Sequence, residues 1–240
     1  MKTLKLLSKC FAFSFVLLLT SGSKTNAQDC KNFYYMSNNT EVEITMYDKN
    51  GAKNGVQSWK ISDVKKDGND FSSTINSAFT NAKGEEITKA TGTYRCSGGK
   101  LMADIRMSIP QDQMKQVKAG EAELNKAYLE YPSSLSEGMQ LPDAFFDMQV
   151  NTSGIPSAAH FEIKNRKVTG KEKVTSDAGS WEAYKIAYEA SMKIKMIGIG
   201  IPIVMQTTEW FVPNFGVVKS ETFSKKGNKM GSTLLTKLKK

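Results

Sequence analysis

The sequence predicts a mainly β protein: an antiparallel curved sheet, a half-barrel meander, with one covering amphipathic helix. Three observations carry that expectation. Polar and apolar residues alternate with period two through most of the chain, and turn dipeptides such as Asn50-Gly51, Asn54-Gly55, Asp67-Gly68 and Lys83-Gly84 separate the alternating runs. One stretch, 110–131, breaks the pattern with helical spacing. Charged residues at 24% and aromatics at 10% of 240 residues suit a chain that buries a core, and exclude a disordered or fibrous one.

Residues 1–27 read as a cleavable leader. Lys2, Lys5 and Lys9 form a positive start, Phe11 to Leu19 an apolar run, and Thr25-Asn26-Ala27 supplies tolerated residues at a cleavage site. An uncleaved anchor is the rival reading, but the apolar run is shorter than the about 20 residues a bilayer crossing takes. No comparable run follows, so no transmembrane segment is expected after leader removal. A lipid anchor would need a cysteine directly after the apolar run, and Cys30 comes too late. The expectation is an exported protein, periplasmic or at the cell surface. Loss of the leader's four lysines (Lys2, Lys5, Lys9 and Lys24) takes the formal net charge from +9 to +5.

Cys10 leaves with the leader, so Cys30 and Cys96 remain. In an oxidising compartment such a pair is more often a disulfide than two free thiols. A redox or nucleophilic cysteine is the alternative, without a C-x-x-C or a nearby histidine to support it.

The domain from 28 to 223 then runs as short strands. Glu41–Tyr47, Val56–Val64, Phe71–Thr80, Ile87–Cys96 and Leu101–Ile109 form a first meander. In 110–131, Met114, Val117, Leu124 and Tyr128 recur at helical spacing, with Pro110 at the start and Pro132 as the stop. This helix reads either as a packing element on one sheet face or as a lid over a cavity. After a loop at 132–142, strands resume at Ala144–Val150, His160–Val168, Trp181–Lys195, Ile203–Val212 and Gly216–Phe223. Apolar residues occupy even positions in Met192-Lys193-Ile194-Lys195-Met196 and odd ones in Ile197, Ile199, Ile201 and Ile203. That change of parity places a hairpin tip or bulge near Gly198 and Gly200. The basic tail, 224–240, is expected to fray.

Catalytic patterns are absent. There is no G-x-S-x-G, no H-E-x-x-H and no phosphate-cradling glycine loop. Ser-x-x-Lys at Ser62–Lys65 and Ser97–Lys100 is a chance match in a chain rich in both residues. Asp104 with Asp147, or Glu209 with Glu221, are the acidic pairs that could act as general acid and base. The lone histidine, His160, reads as a polar surface residue. With one His and two paired Cys no metal site is expected, and no cofactor. The modest, dispersed positive charge does not suggest a nucleic-acid partner.

The most apolar stretch of the exported chain is Met192 to Met205. It reads as core, as the lining of an apolar cavity, or as an exposed tip that touches lipid or a partner.

Two segments carry a resemblance. Val174-Thr175-Ser176-Asp177-Ala178-Gly179-Ser180-Trp181-Glu182-Ala183-Tyr184-Lys185-Ile186 resembles a strand entry of TapB-like exported proteins. Glu209-Trp210-Phe211-Val212-Pro213-Asn214-Phe215-Gly216-Val217-Val218-Lys219-Ser220-Glu221 resembles a second signature of the same family. These are proteins of unknown function from Gram-negative envelopes. The resemblance covers the C-terminal third, implies a curved antiparallel sheet akin to envelope lipid carriers, and assigns no catalytic residue. The expected function is therefore non-enzymatic binding of a lipid or other apolar molecule in a groove between sheet and helix. Met192, Ile194, Met196 and Trp210 would face it, with Met114 and Leu124 as cover. A structural or interaction module of the envelope, docking on another protein, is the alternative, and a hydrolase the third reading.

Overall fold

The computed structural model describes residues 29–108, 127–152, 155–196 and 199–240. The leader and the part of the expected helix that holds Met114 and Leu124 lie outside these residues. The strands are β1 (Glu41–Asp48), β2 (Lys53–Asp67), β3 (Asp70–Asn81), β4 (Glu86–Ser97), β5 (Lys100–Asp104), β6 (Tyr128–Tyr131), β7 (Ala144–Thr152), β8 (Ile155–Ser176), β9 (Gly179–Met196), β10 (Ile199–Val212), β11 (Gly216–Ser224) and β12 (Lys229–Lys239). They form one 12-stranded sheet in the order β6-β5-β4-β3-β2-β1-β12-β11-β10-β9-β8-β7. Every pairing is antiparallel, so two six-stranded meanders meet where the first strand pairs with the last.

Two expectations need correction. The last four residues of the expected helix, Tyr128–Tyr131, are strand β6, in register with Asp104 to Leu101 of β5. Tyr-Leu-Glu-Tyr is a bulky, aromatic sequence that packs well on a pleated face, and that contact overrides a single helical-spacing match. The tail does not fray: Lys229–Lys239 is β12, held between β1 and β11 at the centre of the sheet. Its amphipathicity is weak because both neighbours supply the backbone partners, leaving Leu235 alone as its fully buried anchor.

The sheet curls until its halves share one interior. Tyr35 stacks on Tyr94 of β4 with ring centroids 4.2 Å apart, while the nearby Phe33 lies 6.3 Å from Phe211 of β10. Tyr131 on edge strand β6 also stacks on Phe211, at 4.4 Å. Strands far apart in sheet order can share such partners only across a concave face. The outer face carries cross-strand ion pairs, Lys237–Glu43, Lys185–Glu172 and Lys164–Glu189 among them, and so faces water.

The segment before β1 fills one end of this interior. Two short 3₁₀ turns, Cys30–Asn32 and Tyr34–Met36, bury Cys30, Phe33, Tyr34, Tyr35 and Met36. A disulfide joins Cys30 to Cys96 of β4, with Cα atoms 5.6 Å apart, as the sequence led one to expect. A bulge between Trp210 and Phe211 disturbs the β10–β11 ladder opposite Val217. The tyrosines satisfy the backbone there: Tyr34 Oη donates to the Val217 carbonyl, and Val217 N–H donates to Tyr35 Oη, each at 3.2 Å. Gly216 makes the fit possible. Its φ is +136°, and a Cβ there would meet the Tyr35 ring at 2.6 Å.

Candidate functional site

Partners in an antiparallel ladder point to the same face, so the concave surface can be read row by row. Phe146, Phe161, Met192 and Ile203 are successive partners across β7, β8, β9 and β10. Ala144, Ile163, Ala190 and Met205 form the next row inward. Deeper still the surface turns polar: Tyr188 with Thr207 and Thr222, then Ile186 with Glu209, Ser220 and Thr233. The residues of these rows, all but Ile203, Ala144 and Ile186, line a cavity of about 480 Å³ together with Trp59, Tyr94, Met107 and Leu129 from the first meander. Phe146 and Phe161 stack nearly parallel at 4.9 Å on its apolar side. Hydroxyl pairs, Ser220 with Thr233 at 2.7 Å and Thr207 with Thr222 at 3.3 Å, mark the opposite wall.

A buried polar cluster forms the deep end. Tyr131 Oη donates to Glu209 Oε2 at 3.0 Å, and Arg166 Nη2 lies 3.6 Å from Glu209 Oε1, an ion pair too long to count as a hydrogen bond. Arg166 Nη1 donates to the carbonyls of Glu130 (2.9 Å) and Pro142 (3.1 Å), and its guanidinium lies over the Tyr131 ring. Arg166 on β8 thereby ties edge strand β6 across the gap between the two edges of the sheet. Burial raises the Glu209 carboxyl above the usual carboxylate range, against the opposing pull of Arg166 and the Tyr131 hydrogen bond. Burial also pushes the hydroxyls of Tyr131 and Tyr188 upward, so both stay protonated donors.

The residues singled out from the sequence are placed as follows. Met192 lines the cavity. Ile194 lies one row further out and is 37% exposed at the rim. Met196 ends β9 at the hairpin tip, its backbone paired with Ile199, which is the turn that the parity change required. Trp210 is not in the cavity. It alternates with Glu209 and lies on the opposite face, with Lys219 Nζ at 4.1 Å and Lys185 Nζ at 5.5 Å from its ring. The acidic pairs are not assembled either. Glu209 faces inward, while Glu221 pairs with Lys219 and Lys229 outside. Asp104 is bound by Arg106, and Asp147 meets His160 at 2.9 Å on the solvent side of Phe146.

Sequence reasoning passed over Arg166, Glu209 and Tyr131 as a unit, and also Phe146, Phe161 and Trp59. One signal was present. The chain has only three arginines among its 33 basic residues, and each lies over a tyrosine ring: Arg95 and Arg106 over Tyr128, Arg166 over Tyr131. Planar guanidinium where lysine is the default points to a packed, directional role.

Comparison with known proteins agrees with this architecture. A Bacteroides fragilis protein described as exported, with a YmcC-like fold, superposes with a TM-score of 0.65 at 19% identity, over 89% of this chain and 100% of that one. A Parabacteroides distasonis protein described as a lipoprotein gives 0.69 at 20% identity, over 86% of this chain and 98% of that one. Among curated proteins none matches. The family profile described as DUF3108-like matches residues 37–235, both meanders rather than the C-terminal third alone, and the chain belongs to that DUF3108-like family.

Proposed function

We propose that this is an exported envelope protein that binds a hydrophobic or lipid-like molecule, without catalysis, inside the curved sheet. The observation that carries the reading is the interior cavity of about 480 Å³, walled on one side by Phe146, Phe161, Met192 and Met205. Its size falls in the range of roughly 300–1,000 Å³ typical of small-molecule sites, and a mostly apolar wall with a few convergent polar groups is the usual lining. Methionine adapts to irregular apolar shapes, which suits a variable acyl or isoprenoid chain. The groove proposed here lies within the curve of the sheet, lined by strands of both meanders. The leader-like N-terminus supports export, as do the TapB-like resemblance and the descriptions given to the two structural neighbours.

Native mass spectrometry of the protein purified from a periplasmic fraction tests this, followed by organic extraction and titration of the stripped protein with a lipophilic dye. The expected result is a discrete bound mass that extracts as lipid, or one dye per protein. A clean apo mass together with no saturable dye binding would overturn it.

A further inference from the structure

Strand β10 outruns its neighbour. Its last pairing with β11 joins Met205 to Ser224, yet it begins at Ile199 and pairs over those first six residues with β9 alone. At about 3.3 Å per residue the β9–β10 end therefore projects about 20 Å beyond β11. It is apolar in sequence, and exposed at Pro202 and Ile203. Ile203 is 49% exposed although its row partners Phe161 and Phe146 line the cavity, and Ile194 and Pro202 are exposed beside it. At the foot of the projection the turn after β11 presents Lys225 and Lys226, which share a shallow recess with Pro202 and Val204. Lys193 stands opposite Pro202. No Asp or Glu occurs in 148–160, 190–205 or 223–228, the three stretches that reach this end.

An exposed apolar strand edge normally invites a second strand. Pro202 prevents that here, because it has no N–H to offer and proline on an edge blunts strand addition. What remains is an apolar tip ringed by lysines and free of carboxylates, the pattern that seats on the interface of an anionic bilayer. We propose that the β9–β10 end docks on an anionic lipid surface. Ile203 and Ile194 enter the headgroup boundary, and Lys193, Lys225 and Lys226 meet the lipid phosphates. The open side of the cavity then faces the bilayer from which a ligand would come, a consequence that rests on the ligand-binding reading above; the docking itself does not.

Co-flotation of the periplasmic protein with vesicles tests the docking. Phosphatidylcholine vesicles with added phosphatidylglycerol should carry the protein at low salt, and phosphatidylcholine alone or high salt should release it. Lys225→Gln with Lys226→Gln should weaken binding roughly thirtyfold, about five- to sixfold per lysine. Ile194→Ser with Ile203→Ser, at sites already exposed, should weaken it about tenfold or more while dye binding in the cavity persists. Absence of flotation with phosphatidylglycerol, or flotation indifferent to the isoleucine changes, would overturn the proposal. So would β-strand-type association with another protein through residues 199–204. Loss of dye binding with flotation intact would remove the carrier reading and leave the docking surface standing.

Discussion

Replacing Arg166 by Met breaks the deep cluster in a way that can be calculated. Arg166 is fully buried, so its charge partner, Glu209, would be left in the interior without a counter-ion. Removing one partner of a buried pair costs about 3–5 kcal/mol. The two carbonyls of Glu130 and Pro142 would also lose a charged donor, each bond contributing about 1.5–3 kcal/mol, much of which overlaps the first figure. The expected loss at pH 8 is therefore about 4 kcal/mol, a large part of the about 5–15 kcal/mol that holds such a domain together. The sign of the pH dependence follows from Glu209. Its folded-state pKa is raised by burial, so its effect on stability vanishes below the unfolded value near 4.5 and becomes a penalty as pH rises through the folded value. Without Arg166 that rise is larger, and the penalty should be smaller at pH 5 than at pH 8. Urea unfolding at both pH values measures it. Arg166→Met with Glu209→Gln should recover at least about 1 kcal/mol at pH 8 and flatten the pH dependence. A single variant within about 0.5 kcal/mol of the parent, or a double variant equal to the sum of the singles, would refute the argument.

Four further outcomes are expected. Reducing the Cys30–Cys96 bond opens a loop with sequence separation 66 and should lower stability by about 4 kcal/mol in the chain-entropy model, read from unfolding curves with and without reductant. Gly92→Ala would set a Cβ 2.0 Å from Met107 Cγ at the cavity wall, so a loss of about 1–3 kcal/mol and weaker dye binding should appear together. Trp59 lines the cavity and Trp210 does not, so Trp59→Phe should abolish ligand-induced fluorescence change while Trp210→Phe leaves it. Deleting residues 229–240 removes the central strand and should abolish cooperative unfolding by circular dichroism, where loss of a frayed tail would leave it intact.

The sheet was legible because period-two alternation is a local signal: Glu41–Tyr47 shows it within one strand, and the Asn-Gly and Asp-Gly turns that follow are equally local. The disulfide was legible from the cysteine count together with the leader, which implies an oxidising compartment. What escaped depends on pairing across the chain. Tyr128–Tyr131 is four residues long, too short for a period to declare itself, and becomes a strand because β5 lies beside it. The sequence of β12 mixes three lysines and two threonines with three leucines, of which Leu235 alone is fully buried, a composition that reads as solvated until two neighbouring strands flank it. Trp210 was assigned to the groove with Met192 and Ile194, whereas its alternation with inward-facing Glu209 sets it on the other face, beside lysines of β9 and β11. The Arg166–Glu209 pair spans β8 and β10 and meets Tyr131 from the other edge, so no spacing rule reaches it.

The arrangement of the two meanders explains why cavity, closure and stability are one problem in this protein. Glu41 pairs with Lys239, and neither half encloses the cavity alone: Trp59 and Tyr94 come from the first, Phe161 and Met192 from the second. Contacts of such sequence separation form late and slowly, because loop-closure entropy is lost before they compensate for it. Two devices then hold the halves together besides the β1–β12 ladder. The N-terminal segment is bonded to β4 through Cys30 and seated on Gly216 and Phe211 of the second meander. Arg166 spans the remaining gap, from β8 to the carbonyl of Glu130. Its partner Glu209 is part of the cavity lining, so the group that closes the sheet is also coupled to whatever fills the interior. A ligand that binds only the closed form must stabilise it by RT ln(1 + [L]/Kd), and weakening Arg166 must lower affinity by the fraction of the closed form lost. On the ligand-binding reading, binding and closure are linked through the single buried guanidinium of Arg166.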